Sequence, residues 1–210
     1  MAGSVDWLDD APGTVTDLPV FGSESPIRKV TEAVAFDDAW DVERRDKVRD
    51  LFDGMAAEWG SRFSEEREAS ILDALDRGGP LGGKVIELGA GSGLGTARLV
   101  ERFDDVIALD LSMEMLRHQP DLAPKVRADA SILPFADDAA DALVLVNMLL
   151  FPAEVDRVLA PGGTIVWINT HGHETPIHLS PEAVVAALPG AWSATAGRAG
   201  TGLWAAVRRA

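Results

Sequence analysis

An apolar run from Val85 to Leu88 carries a single acid, Glu87, and passes directly into Gly89-Ala90-Gly91-Ser92-Gly93 and a helical stretch from Leu94. Strand, glycine turn and helix, in that order, constrain this chain more than any other feature. Glycines at such a turn let the backbone approach a ligand, because no Cβ stands between them. The start of the following helix has amide groups with no partner inside the helix. A second acid, Asp110, ends the next apolar run nineteen residues beyond Gly91. At the tip of a neighbouring strand, a carboxylate is placed to accept both hydrogen bonds of a ribose diol.

From Gly82 onward, apolar runs alternate with helical stretches. The runs are 85–88, 106–109, 125–127, 142–146 and 164–169, and helices are predicted around 94–103, 112–118 and 152–159. Ser112 suits an N-cap, and Pro161-Gly162-Gly163 suits a helix stop. Alternation at this spacing implies βαβ crossovers and a parallel sheet covered on both faces. The last quarter differs. Ser180-Pro181-Glu182 opens one more helix, and strands 191–196 and 203–207 are joined through Gly197, Gly200 and Gly202. So short a connection joins only antiparallel strands. Upstream, residues 1–43 are acidic and broken by Pro12, Gly13, Pro19, Gly22 and Pro26, which predicts a partly ordered arm. Residues 44–80 read as two helices that cap the site. Val48, Leu51, Phe52, Met55 and Trp59 form one apolar stripe, and Ser64 and Gly78-Gly79-Pro80 bound the second helix. Residues 81–210 form the core, and the whole is read as one domain.

The glycine turn does not fit the common nucleotide patterns. A dinucleotide fingerprint needs a third glycine at 94 or 96, where Leu94 and Thr96 stand. A phosphate loop needs Gly-Lys-Ser/Thr, which does not follow. Glu87 beside the glycines disfavours a pyrophosphate and suits a ligand with a cationic ammonium group. S-adenosylmethionine combines such a group with a ribose and an adenine.

Residues 82–170 resemble the core of the class I S-adenosylmethionine-dependent methyltransferases, in the small-molecule branch typified by ubiquinone and menaquinone biosynthesis. The resemblance rests on Val85–Gly93, Ala108–Ser112 with Met115-Leu116, Ala128-Asp129-Ala130 with Leu133-Pro134-Phe135, Asp141-Ala142-Leu143, and Glu154-Val155 through Pro161-Gly162-Gly163. It implies a Rossmann-like, doubly wound, mostly parallel seven-stranded sheet with a C-terminal antiparallel hairpin. It further implies that Glu87, Gly89, Ala90, Gly91 and Gly93 border the methionine end of the donor. Asp110 then holds the ribose hydroxyls, Leu111 and Met115 also contact the donor, and Asp129 and Ala130 lie at the adenine edge. Asn147, just past the fourth strand, faces the opening. Asn147-Met148-Leu149-Leu150 departs from the Asn/Asp-Pro-Pro-aromatic motif of nucleobase-amine methyltransferases.

His171, His173 and Asn147 are the candidates for contact with a methyl acceptor. The His-x-His pair reads as a polar loop, so no metal site is expected. The chain lacks cysteine, which excludes disulfides, thiolate metal sites and a cysteine nucleophile, and a reducing cytoplasm is the expected compartment. Nineteen basic against thirty-four acidic residues give a net charge of −15. A field of that sign repels nucleic acid and anionic lipid. The expected partner is a small apolar or neutral acceptor, with the chain a monomer or a homodimer. No secretory signal and no span of ~20 apolar residues is read. Phe36, Trp40, Phe52, Met55, Trp59 and Phe63 are available to line an acceptor site, although much of that stripe suits core packing. Two further readings follow from the same residues. One is a donor-binding partner or sensor without turnover. The other is a nucleotide-binding oxidoreductase, weakened by Leu94 and Thr96.

Overall fold

The computed structural model describes residues 3–20, 22–60 and 64–210; Phe63 lies outside them. The strands are β1 (Val5–Trp7), β2 (Lys84–Leu88), β3 (Asp105–Asp110), β4 (Lys125–Arg127), β5 (Ala140–Val146), β6 (Leu159–Asn169), β7 (Trp192–Ala199) and β8 (Gly202–Arg209). The helices are α1 (Pro26–Asp37), α2 (Val42–Trp59), α3 (Glu65–Arg77), α4 (Leu94–Leu99), α5 (Met113–His118), α6 (Pro152–Val158) and α7 (Pro181–Ala187). The strands form one sheet in the order β1-β7-β8-β6-β5-β2-β3-β4. Strands β2 to β6 pair in parallel, and β8 runs antiparallel to both β6 and β7. The fold is Rossmann-like, as expected. Among the described residues, no helix is long and apolar enough to cross a membrane.

The central strands are buried on both faces. Ile86, Leu88, Leu143, Leu145, Ile165 and Trp167 pack into one layer, and Val85, Val144, Val166 and Ile168 into the other. Period-two alternation thus feeds two apolar cores, as a parallel sheet requires. Helix α3 covers β7 and β8, where the Trp204 indole donates to Asp73 at 2.6 Å.

Three local expectations are corrected. The sheet has eight strands among the described residues rather than seven, because Val5–Trp7 adds in parallel to the free edge of β7. A three-residue strand pairing with residues 194–196 leaves no periodic signal in the sequence. Pro161-Gly162-Gly163 does not end a helix. Helix α6 stops at Val158, Leu159 already pairs with Ala140, and the register slips before Ala142 meets Thr164. The segment is a bulge at the start of β6. Gly197 lies inside β7 rather than in the turn, because a Cβ there would stand 2.7 Å from the Trp204 ring.

Residues 1–43 supply a strand and a helix to this framework. Helix α1 is tied to the carboxyl edge of the sheet by Glu174, which is buried in the turn after β6. One carboxylate oxygen accepts from the Gly22 N–H at 3.0 Å, the Ser23 N–H at 3.1 Å and the Ser23 hydroxyl at 3.0 Å. Arg28 of α1 donates back to the carbonyls of His173 and Thr175. Glu174→Ala removes the acceptor of all three donors and is expected to lower stability by about 2–3 kcal/mol in urea denaturation. A change below about 0.5 kcal/mol would show that the latch carries no stability.

Candidate active site

The chain leaves β2 for β3 on one side and later returns to place β5 on the other, so a crevice opens at the carboxyl ends of these strands. A cavity of about 350 Å³ fills it. Along the edge, from β4 towards β6, its wall presents Asp129, Asp110, the glycine turn with Glu87, Asn147 and then Arg67 of α3. Helix α2 roofs the cavity with Val48, Arg49, Phe52 and Trp59. Phe52 and Trp59 meet edge to face at 5.5 Å. Glu87, Gly89, Ala90, Gly91, Gly93, Asp110, Leu111, Met115, Asp129, Ala130 and Asn147 all line this one cavity.

The turn is built against β3. Gly89, Gly91 and Gly93 have φ of 72°, 55° and 93°, a region that residues with a Cβ enter only at a steric penalty. The N–H groups of Gly89 and Ala90 donate to the Leu109 carbonyl at 2.8 and 2.9 Å, and that of Gly91 donates to the Asp110 carboxylate at 2.8 Å. These three successive amides are therefore spent inside the protein and are not offered to a phosphate.

Asp110 bridges two segments. One oxygen accepts from Gly91, and the other accepts from the Ser112 N–H at 2.7 Å. Burial pushes its pKa up, against the pull of these amides. The Ser112 hydroxyl caps α5 through the Met115 N–H at 3.0 Å and donates to Asp53 of α2. The glycine turn, the tip of β3 and the roof are thus joined through two short polar links.

Glu87 is fully buried. Its carboxyl accepts from the Thr96 hydroxyl, which in turn accepts from the Gln119 amide. No cation among the described residues pairs with it. Burial pushes its pKa to about 8, and the Asp110 carboxylate adds to the shift. Gly95 makes room for it, since a Cβ there would lie 2.1 Å from the carboxyl oxygen. The sequence reading passed over Gly95 and used Thr96 only to reject a dinucleotide pattern. A small residue and a hydroxyl in the first turn of α4, eight and nine residues past a buried acid, were the available signal.

Residues 86–167 match the family described as the methyltransferase domain. These residues are a methyltransferase domain. The chain is 35% identical over 147 residues to the demethylmenaquinone methyltransferase of Mycobacterium marinum, which covers 61% of each chain. It is 33% identical over 162 residues to the malonyl-[acyl-carrier protein] O-methyltransferase of Methylococcus capsulatus, covering 70% of this chain and 53% of that one. The chain thus spans between half and two thirds of the length of these curated relatives. Among solved structures, the DhpI–SAH complex superposes with a TM-score of 0.62 at 24% identity, over 79% of this chain and 96% of that one. A Thermotoga maritima methyltransferase described as a possible histamine N-methyltransferase gives 0.59 at 15% identity, over 76% and 99%. Both likenesses show the shared fold.

In this methyltransferase domain the acceptor-contact candidates separate. Asn147 lines the cavity with φ of 50°, and its side chain clamps Thr170: the amide donates to the hydroxyl at 2.8 Å, and its oxygen accepts from the Thr170 N–H at 2.9 Å. His171 and His173 are not among the wall residues. His173 lies largely in solvent, 3.5 Å from Glu174. His178 packs inside, its Nδ1 2.8 Å from the Asn169 side-chain oxygen, and burial helped by Arg28 and His173 lowers its pKa to about 4. Among the described residues, no group of three or more side chains is arranged to hold a metal ion. Sequence adjacency grouped the histidines, but the turn at Gly172–Glu174 sends them in different directions.

The raised pKa of Glu87 carries a sign for stability. Its folded value lies above the unfolded value near 4.5, so its contribution is fully present below pH 4.5 and is lost as pH rises through about 8. Glu87→Gln removes the ionising group. The variant is expected to be more stable than the parent at pH 9 by roughly 2–4 kcal/mol, and nearly equal to it at pH 4.5. Denaturation at the two pH values checks this, and an equal difference at both would contradict it.

Proposed function

We propose that this chain is an S-adenosylmethionine-dependent methyltransferase acting on a small, neutral or apolar acceptor. One observation carries the reading: three acids, Glu87, Asp110 and Asp129, stand along the cavity wall, and the amides at Gly89, Ala90 and Gly91 are turned away from it, bonded to β3. Such an arrangement of acids suits a ligand that donates hydrogen bonds and carries positive charge, while Arg49 and Arg98 on the wall are already paired with acids outside it. An adenosyl sulfonium has a donor for each acid: an ammonium for Glu87, a ribose diol for Asp110 and an adenine amine for Asp129. The positive-φ glycines leave the approach over the turn free of side chains.

The bound donor supplies a methyl group already activated by its sulfonium. The residues of the chain then have to align and enclose the reactants. Asp110 fixes the ribose from a carboxylate held at both ends by backbone amides. Glu87 is the counter-charge for the ammonium and ionises as that cation arrives. Trp59, Phe52 and Met148 exclude water above the turn, and Asn147 holds the ends of β5 and β6 together beside the reacting centre. The acceptor enters between α2 and the 171–179 loop, whose Ile177 lines the cavity. With His171 and His173 off the wall, the reading assigns alignment, rather than a dedicated histidine base, as the main source of rate.

Incubation with radiolabelled donor and a metabolite extract tests turnover. A labelled small molecule is expected, and labelled tRNA or DNA at ordinary salt would contradict the acceptor class. Two binding outcomes follow. Asp110→Asn is expected to weaken S-adenosylhomocysteine at least tenfold in calorimetry, about 1.4 kcal/mol. The parent is expected to disfavour the 2′-deoxy analogue by about tenfold, a preference that the variant loses. Donor affinity is further expected to rise between pH 7 and 9 as Glu87 ionises, and Glu87→Gln removes that part of the rise. An identical pH dependence in the variant would contradict the role given to Glu87.

A further inference from the structure

The four-residue link between α1 and α2 sends one side chain into the cavity. Helix α1 ends at Asp37, Asp38 turns the chain with φ of 50°, and Asp41 caps α2 through the Arg44 N–H at 2.7 Å. Arg44 also donates to the Ala39 carbonyl. Trp40 is fixed between these two anchors. Its ring meets Phe151 edge to face at 5.2 Å, and its indole N–H donates to both oxygens of Asp129, each at 3.1 Å.

That symmetry is informative. A donor equidistant from both carboxylate oxygens lies on the bisector of the group, in the direction that a bidentate or centred partner must use. Asp129 Oδ1 also accepts from the Ser131 N–H at 2.9 Å. Trp40, Phe151, Asp129 and Ala130 all line the same end of the cavity. Two N–H donors cannot share one position at hydrogen-bond distance from the same carboxylate. A ligand amine that takes the bisector position on Asp129 therefore has to displace the indole.

We propose that Trp40 is a donor-selecting residue, holding the Asp129 carboxylate until the exocyclic amine of the donor's adenine displaces its indole. The inference rests on the reading of the cavity as an adenosyl-donor site. It makes the α1–α2 link responsive to the base. When the amine takes Asp129, Trp40 loses its carboxylate partner and swings away, and the link that starts α2 moves with it. A base without an amine at that position has nothing to give Asp129 in exchange. Donor selection at this end is a competition between two N–H groups rather than a simple match.

Trp40→Phe tests this, because it keeps a ring against Phe151 and removes only the N–H and the benzo edge. Calorimetry with S-adenosylhomocysteine on the full chain gives the readout, with thermal unfolding as a check that the variant is folded. The variant is expected to bind at least threefold more tightly than the parent, and Trp40→Met, which also lacks the N–H, to shift in the same direction. In an Asp129→Asn background, where the carboxylate is gone, the change at Trp40 is expected to have no effect on affinity. Equal or weaker binding by both Trp40 variants, with the parent binding normally, would overturn the proposal and show that Trp40 steadies Asp129 for the base. No binding by the parent itself would overturn the donor reading and this proposal with it.

Discussion

The site depends on one carboxylate that is used twice by the protein before any ligand arrives. Asp110 accepts from Gly91 on one side and Ser112 on the other, so it pins the glycine turn to the tip of β3. The turn needs that anchor, because three of its residues occupy positive φ and two neighbouring amides lean on the Leu109 carbonyl. Ser112 then passes the connection to Asp53 on α2. A charge-assisted hydrogen bond contributes about 1.5–3 kcal/mol, so two on one group are enough to fix a short loop. The arrangement aims the remaining lone pairs of Asp110 into the cavity, and no ligand has to order the turn on binding.

The same logic explains why the cavity tolerates so much like charge. Burial raises the pKa of both Glu87 and Asp110, the Asp110 carboxylate raises Glu87 further, and Asp53 raises Asp110. Glu87 resolves the conflict by keeping its proton near neutrality, although the Thr96 hydroxyl, which itself accepts from Gln119, donates to its carboxyl and favours the ionised form. Asp110 resolves it with two backbone amides, and Asp129 with the Trp40 indole. Each acid thus has its own partner within the protein. The stability given up by burying Glu87 above pH 8 is stored in the site and is recovered only when a cation is bound.

Much of this was legible in the sequence, and the reason is local. The strand–glycine–helix order, the acid before the turn, the acid nineteen residues later and the Ser112 cap are all short-range patterns fixed by backbone geometry. The C-terminal hairpin was legible because only an antiparallel pair can be joined so briefly. What stayed hidden is long-range. Strand β1 pairs with residues nearly the whole chain away, the Glu174 latch joins residues about 150 positions apart, and Trp40 meets Asp129 across 89. Nothing in a single sequence places such partners together. His171 and His173 are neighbours in sequence, yet neither lines the cavity, which Asn147 does.

The N-terminal segment is also more deeply built in than its composition suggests. It gives the sheet an edge strand, roofs the cavity with α2 and is held by Glu174. The Ser112–Asp53 bond then joins α2 to the glycine turn through Asp110. The most direct measurement is a crystal structure of the chain with S-adenosylhomocysteine. The account predicts the ribose hydroxyls within hydrogen-bond distance of the Asp110 carboxylate, the amino group beside Glu87, and the Gly91–Asp110 bond intact. A ligand bound away from Asp110, or a glycine turn rebuilt to point its amides at the ligand, would contradict it.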